Sequence, residues 1–527
     1  MGREIEEHRS GWLVLVGIVF VILTTIMSGA KLLWFDEFIT LYIAKLNRLD
    51  AIWDALARAM DPNPPLTHVL VMWSMRIFGE GPYALRLPSV IATLIAGICV
   101  YKFLRPRVPA VYAISAMCIL GCTRAFEYAF ESRGYALLVC FAAVSLLAWT
   151  KIVENERKLL WSVVLALALA AGISSNYYAV LAFFPIAAGE AVRTYQRRRI
   201  EWSVWLAMVI GAVPLFFYLP LIRRAIQVFA PYAWNKPSWG LVEYTYLWLV
   251  DELLYPIVAL LGLTLAVMAW RRYRHEHDTP VLPRPEQAAL AVFLLAPVIG
   301  YVIAIARAGM YTPRFVIATT VAVALVTPLA VARLARKQMW AGALLLIVCG
   351  MWWIARAGSN TMDFIRQRRA FATVIRELPS TADRIAVPDA LLVVPLHYYA
   401  PKELASKIVY PIDLAAIRRY QREDSPEQNL WNGRGIYPLA IVPARDLVQT
   451  AGDVVPVVAN QHNWMMKMLA ARGVPIRHVS TREDANVNEF FSPLARLRPS
   501  LYEAGTPSLS AKAAGNRKQN ARRTTTR

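Results

Sequence analysis

Eleven apolar stretches, each near the length that crosses a bilayer, dominate this 527-residue chain. They cover 12–31, 83–104, 108–123, 134–152, 159–175, 177–192, 203–221, 250–270, 288–306, 313–332 and 339–357. Hydrocarbon offers backbone N–H and C=O groups no partner, so stretches like these can span only as helices. The composition agrees: 57% of residues are apolar and 18% charged, against roughly 45–50% and 25% in soluble domains. Disordered, collagen-like and disulfide-stapled chains are thereby excluded. The first stretch is too long for a cleaved secretory signal and is expected to remain as an anchor.

The net charge of +21 could suggest nucleic acid, but its distribution argues against that partner. Six basic residues and no acid fall within 512–527, and most of the others lie in short breaks between apolar runs. After residue 82, one set of alternating loops carries 17 Lys and Arg and the other carries 7. The positive-inside rule makes the richer set cytoplasmic. The N-terminus is then cytoplasmic and everything beyond 357 extracytoplasmic, in a multi-pass membrane protein best suited to a bacterial inner membrane. Segment 65–79 is short for a span, so 32–82 is read as one outward loop. Residues 1–357 therefore form a membrane domain. Residues 358–502, where strand-length runs such as RIAV and DVVPVV alternate with helical patterns, form a soluble α/β domain. The tail 503–527 is small, polar and basic, and is expected to be disordered. All five cysteines lie within apolar runs and read as buried free thiols.

Ionisable side chains beside a span are costly unless paired or solvated, and several collect in the outward loops. Asp36 and Glu37 follow the first span in WFDEF, either at the start of a short helix or as a general base. DPNPPLTHVL packs Asp61, Asn63 and His68 around three prolines that force a turn. RAFEYAFESRGYALL holds Glu127 and Glu131 at helical i, i+4 spacing, with Arg133 and Tyr135 following. A Glu131–Arg133 ion pair is one reading of it, and phosphate binding by Arg133 is the other. In ARAGMYTPRF, Arg307 and Arg314 either hold an anionic headgroup or snorkel to the interface. The aromatic-rich stretch 222–249 suits a membrane interface.

Taken together and in order, WFDEF, DPNPPL, FGEGPYALRLPSV, ESRGYALL, SSNYYAVL and TPRFVIA resemble the polyprenyl-phosphate-dependent glycosyltransferases of the C-type superfamily. The likeness is strongest to the protein O-mannosyltransferase family and its bacterial relatives that act on lipid A, and it covers roughly residues 10–335. It implies an inverting membrane glycosyltransferase that takes a monosaccharide from a polyprenyl-phosphate donor to a glycolipid, glycan or protein acceptor. It places the family's acidic pair on Asp36 and Glu37, with Asp36 as base. It also places the family's later motif positions on Asn63, Pro64, Pro65, Arg133, Tyr135 and Arg314; with His68, Glu131 and Arg307 from the same outward loops, Asn63, Arg133, Tyr135 and Arg314 are the expected donor phosphate or sugar contacts. Asn63 stands where many members carry a basic side chain, and Phe315 where tyrosine is frequent. No D-x-D or His-rich spacing marks a metal, so divalent-metal use stays open. A polysaccharide polymerase or ligase, or a lipid-linked sugar transporter, is the alternative.

Overall fold

The computed structural model describes residues 2–273, 282–448, 455–460, 462–480 and 500–504. It is a helical bundle joined at one end to a six-stranded sheet. Among the described residues, seven helices are long and apolar enough to cross a membrane, or nine if two bent pairs each count as one crossing. All eleven sequence-read stretches fall on helical segments. The two outside that count are 177–192 and 313–332, where a 3-10 turn leads into the shorter helices Phe183–Arg197 and Thr319–Leu334. Polytopic architecture with a C-terminal sheet is therefore what the chain adopts.

The outer surface of the bundle is inverted relative to a soluble protein. On helix Arg9–Ala30, Val14, Ile18 and Ile22 are half or more exposed, a stripe at helical spacing that only lipid would cover. The interior packs through small residues, as membrane helices do. Gly121 shows why: a Cβ there would lie 2.6 Å from the Trp353 ring.

Two features depart from the expected outline. The helix at 110–122 ends and turns by 72° into a 3-10 helix over Arg124–Phe130, so Glu127 and Glu131 do not share an α-helical face. The helix that begins at Met339 continues unbroken to Arg376, 38 residues, about 57 Å at 1.5 Å per residue. It carries the chain straight from the bundle into the sheet region.

That sheet has strands β1 (Ile385–Ala386), β2 (Ile408–Ile412), β3 (Ala440–Pro443), β4 (Val455–Ala459), β5 (Ile476–Ser480) and β6 (Ser500–Ala504). Their order is β3-β2-β1-β4-β6-β5, with β3, β2, β1 and β4 parallel and the β4–β6–β5 pairings antiparallel. Every residue of β2 is buried, as expected of an inner parallel strand covered on both faces. Residues 503 and 504 belong to β6, and the basic tail from 505 onward lies outside the described residues.

The sheet region is fastened to the segment 32–82. Tyr399 Oη accepts a hydrogen bond from Leu33 N–H at 2.8 Å, and Asn432 Nδ2 donates to the Ala59 carbonyl at 3.1 Å. Phe38, fully buried, packs against the Tyr398 ring at 5.0 Å. Because Trp353 is rigid and buried against Gly121, Gly121→Ala should destabilise the purified protein by about 1–3 kcal/mol, read as a lowered thermal unfolding midpoint in detergent.

Candidate active site

A cavity of about 1450 Å³ opens where the bundle meets the sheet region. Its wall brings together side chains from Lys31 to Asn463, and Asp36, Arg133 and Arg314 lie at its charged end.

Asp36 stands in the first turn of helix Phe35–Ala44. Trp34, not Asp36, occupies the capping position, and no side chain caps it. The Asp36 carboxylate is thus free for other partners. Its Oδ2 accepts a hydrogen bond from Arg314 Nη1 at 2.8 Å and lies 4.0 Å from Arg133 Nε.

Arg133 is positioned from behind by Asp61, whose Oδ2 accepts from Arg133 Nη1 at 2.7 Å. The three prolines make this possible by halting regular structure before helix Leu66–Phe78. Within that turn Asp61 Oδ1 accepts from the Asn63 N–H at 3.0 Å and from Asn63 Nδ2 at 2.7 Å. Burial opposes the charge on Asp61, but Arg133 beside it holds its carboxyl below the usual range. Gly134 is obligatory between Arg133 and Tyr135: a Cβ would come within 2.4 Å of the Ser175 carbonyl oxygen. Arg314 lies over the rings of Tyr135 and Trp234, with centroids at 5.6 and 5.9 Å. The Nε–H groups of both Arg133 and Arg314 are buried without an acceptor.

The acidic pair is divided by the structure. Glu37, fully buried, accepts from Arg86 Nε at 2.8 Å and Nη2 at 2.7 Å, and from the Ser132 N–H at 2.9 Å. It is absent from the cavity wall, so the expectation that it shares the chemistry is corrected: helix geometry turns it away from Asp36 and toward Arg86. His68 is likewise not on the wall. It stands behind Asp61, Nε2 to Oδ2 3.5 Å, and burial holds its pKa down to about 4, so its ring is neutral.

Asn63 lines the cavity, with its amide committed to Asp61. Glu131 lines it too, but pairs with Lys31 at 2.7 Å and not with Arg133. Burial raises the Glu131 carboxyl above its ordinary range despite Lys31. Tyr135 is on the wall. The backbone of Arg307 lies in a π-helical turn, Ala304–Ala308, and its side chain lies outside the described residues.

Three partners escaped the sequence reading: Lys31, Asp61 as the anchor of Arg133, and Arg86. A lone arginine in an otherwise apolar helix, Pro82–Leu104, was the available signal for the last, because such a charge demands a buried counter-ion. Among the described residues no group of three or more His, Cys, Asp or Glu is arranged to hold a metal.

Residues 62–222 match the family described as dolichyl-phosphate-mannose-protein mannosyltransferase. No curated protein sequence matches the chain. Two crystal structures of ArnT from Cupriavidus metallidurans superpose over 95% of this chain and 99% of theirs. The apo form gives a TM-score of 0.57 at 14% identity, and the form bound to undecaprenyl phosphate 0.58 at 12%. The fold is that of the two ArnT structures. The likeness drawn from the motifs is borne out, and the matched segment contains Arg133 and Tyr135.

Within this fold, Glu37 and Asp36 should respond differently to loss of charge. Glu37→Gln leaves Arg86 as an unpaired buried cation and should cost about 3–5 kcal/mol. Asp36→Asn, at a solvent-facing cavity, should leave the thermal midpoint within a degree or two of wild type, roughly the spread of ordinary surface changes. Parallel melting curves of the two purified variants check this.

Proposed function

We propose that the protein is an integral membrane glycosyltransferase that moves a monosaccharide from a polyprenyl-phosphate donor to an acceptor hydroxyl on the extracytoplasmic side. The observation that carries this reading is the single carboxylate Asp36 set between two arginines that keep unused N–H donors beside an open cavity. Guanidinium groups suit a phosphate by geometry as well as charge. The cavity also extends along apolar side chains, including Ile222, Ile226, Phe229 and Leu241, which suit an isoprenoid chain. ArnT, whose fold this chain shares, has been crystallised with undecaprenyl phosphate.

The chemistry follows from the charges. Arg314 neutralises Asp36, Nη1 to Oδ2 2.8 Å. A donor phosphate competes for Arg314, and as that arginine turns to the phosphate, the Asp36 carboxylate is released to the acceptor hydroxyl. The acceptor oxygen then attacks the anomeric carbon as Asp36 takes its proton. The bond from that carbon to the phosphate oxygen breaks with inversion. Arg133 and Arg314 hold the charge that grows on the departing phosphate, where preorganised donors stabilise the transition state most. Asp61 keeps Arg133 in place throughout. Glu131, paired with Lys31, orients the sugar. The sheet region, placed outside the membrane with the cytoplasmic N-terminus on the other side, covers the cavity and contributes Asp389, Glu427 and Asn463 to its wall.

Asp36→Asn should lower transfer by about 10²–10⁴-fold, measured as release of polyprenyl phosphate from a radiolabelled donor in membranes. Near-wild-type release would remove Asp36 from the reaction.

A further inference from the structure

A second pocket, of about 350 Å³, lies apart from the large cavity and is lined by Arg58, Arg224, Trp431, Asn432 and Arg434. Three of its five residues are arginines. None of the three forms an ion pair among the described residues, whereas the two arginines on the cavity wall, Arg133 and Arg314, are matched to Asp61 and Asp36. Arg434 is oriented by its neighbour: its guanidinium lies 4.1 Å from the Trp431 ring centroid, and Nη1 donates to the Trp431 carbonyl at 2.8 Å. Like charges gathered around one hollow repel unless an anion joins them.

The pocket lies at the end of a membrane-length apolar helix. Arg224 lies in the last two turns of the apolar helical segment Trp202–Phe229. Arg58 follows helix Leu49–Ala57, which exposes Leu49 and Trp53 and packs Trp53 against Tyr218 of that segment at 6.1 Å. An indole exposed there marks a membrane interface.

The pocket also backs directly onto the large cavity. Three elements serve both. The first outward loop gives Arg58 to the pocket and, three residues on, Asp61 to the site. The segment Trp202–Phe229 gives Arg224 to the pocket and Ala225 and Ile226 to the cavity wall. Helix Ser425–Asn432 gives Trp431 and Asn432 to one and Asn429 to the other. The loop between is held by hydrogen bonds from Asn429 and Asn432 to the Met60 and Ala59 carbonyls.

We infer that this pocket binds the phosphate of an outer-leaflet lipid headgroup, beside the cavity and separately from the donor. The headgroup phosphate accepts hydrogen bonds from Arg58, Arg224 and Arg434, while its acyl chains lie against Leu49 and Trp53. Its source is either an ordinary anionic phospholipid or a phosphorylated glycolipid whose sugar then reaches the cavity.

Native mass spectrometry of the detergent-purified full chain tests this with phosphatidylglycerol, bis-phosphorylated lipid A and diacylglycerol as probes. The wild type should retain both phosphate-bearing lipids and not diacylglycerol. The triple variant Arg58→Gln/Arg224→Gln/Arg434→Gln should retain them roughly tenfold less or weaker still, since charge-assisted contacts are lost. Undecaprenyl phosphate binding should stay unchanged in that variant, which shows that it is folded. Preference for lipid A assigns the pocket to a phosphorylated glycolipid, and equal retention of both assigns it to bulk phospholipid. Equal retention by wild type and variant, or retention of diacylglycerol as well, overturns the inference. Asp36→Asn should keep the wild-type lipid pattern whatever it does to transfer, so failure of the catalytic reading is seen separately.

Discussion

An ion at the edge of hydrocarbon must find its counter-ion, and the Glu37–Arg86 pair is where this chain meets that demand. Both side chains are wholly excluded from solvent. Arg86 also donates to the carbonyls of Ser28, at 2.7 Å, and Lys31, at 3.0 Å, which would otherwise end the first helix unpaired. Glu37 in turn accepts from the Ser132 N–H. One pair thus ties together the end of the first helix, the helix Pro82–Leu104 and the ESRGY loop. Its value lies less in net stability than in register: Asp36 precedes Glu37 and Arg133 follows Ser132, so fixing the inner residues presents the outer two to the same cavity.

Around that clamp the acids divide their work by burial. Glu37 is sealed and permanently paired. Asp61 is sealed as well and serves Arg133. Asp36 alone among these three faces the cavity, and its partner Arg314 comes from a loop hundreds of residues away in sequence, at 2.8 Å. In the proposed reaction phosphate draws Arg314 away and leaves the Asp36 carboxylate open to the acceptor hydroxyl.

Much of this was legible in the sequence. Long apolar runs have one structural solution in lipid, so the bundle and the sheet beyond it followed from hydropathy. Charged side chains in the loops between apolar runs marked the candidate site, and Asp36, Arg133 and Arg314 do converge. Partner choice was not legible, because it is set by tertiary placement. Glu131 looked able to reach Arg133 two residues on but pairs with Lys31, 100 residues away, and Glu37 finds Arg86 across 49 residues. Nor could the pattern show that Met339–Arg376 is one helix. The membrane domain was expected to close at 357, yet the helix runs through that boundary into the sheet region.

The account turns on Arg314 exchanging Asp36 for phosphate, and equilibrium binding of undecaprenyl phosphate to purified variants measures that most directly. Removing the competitor with Asp36→Asn should leave affinity equal to wild type or tighter, while Arg314→Gln should weaken it by about tenfold or more, the equivalent of roughly 1.4 kcal/mol. Unchanged affinity in Arg314→Gln, or a comparable loss in Asp36→Asn, would contradict it.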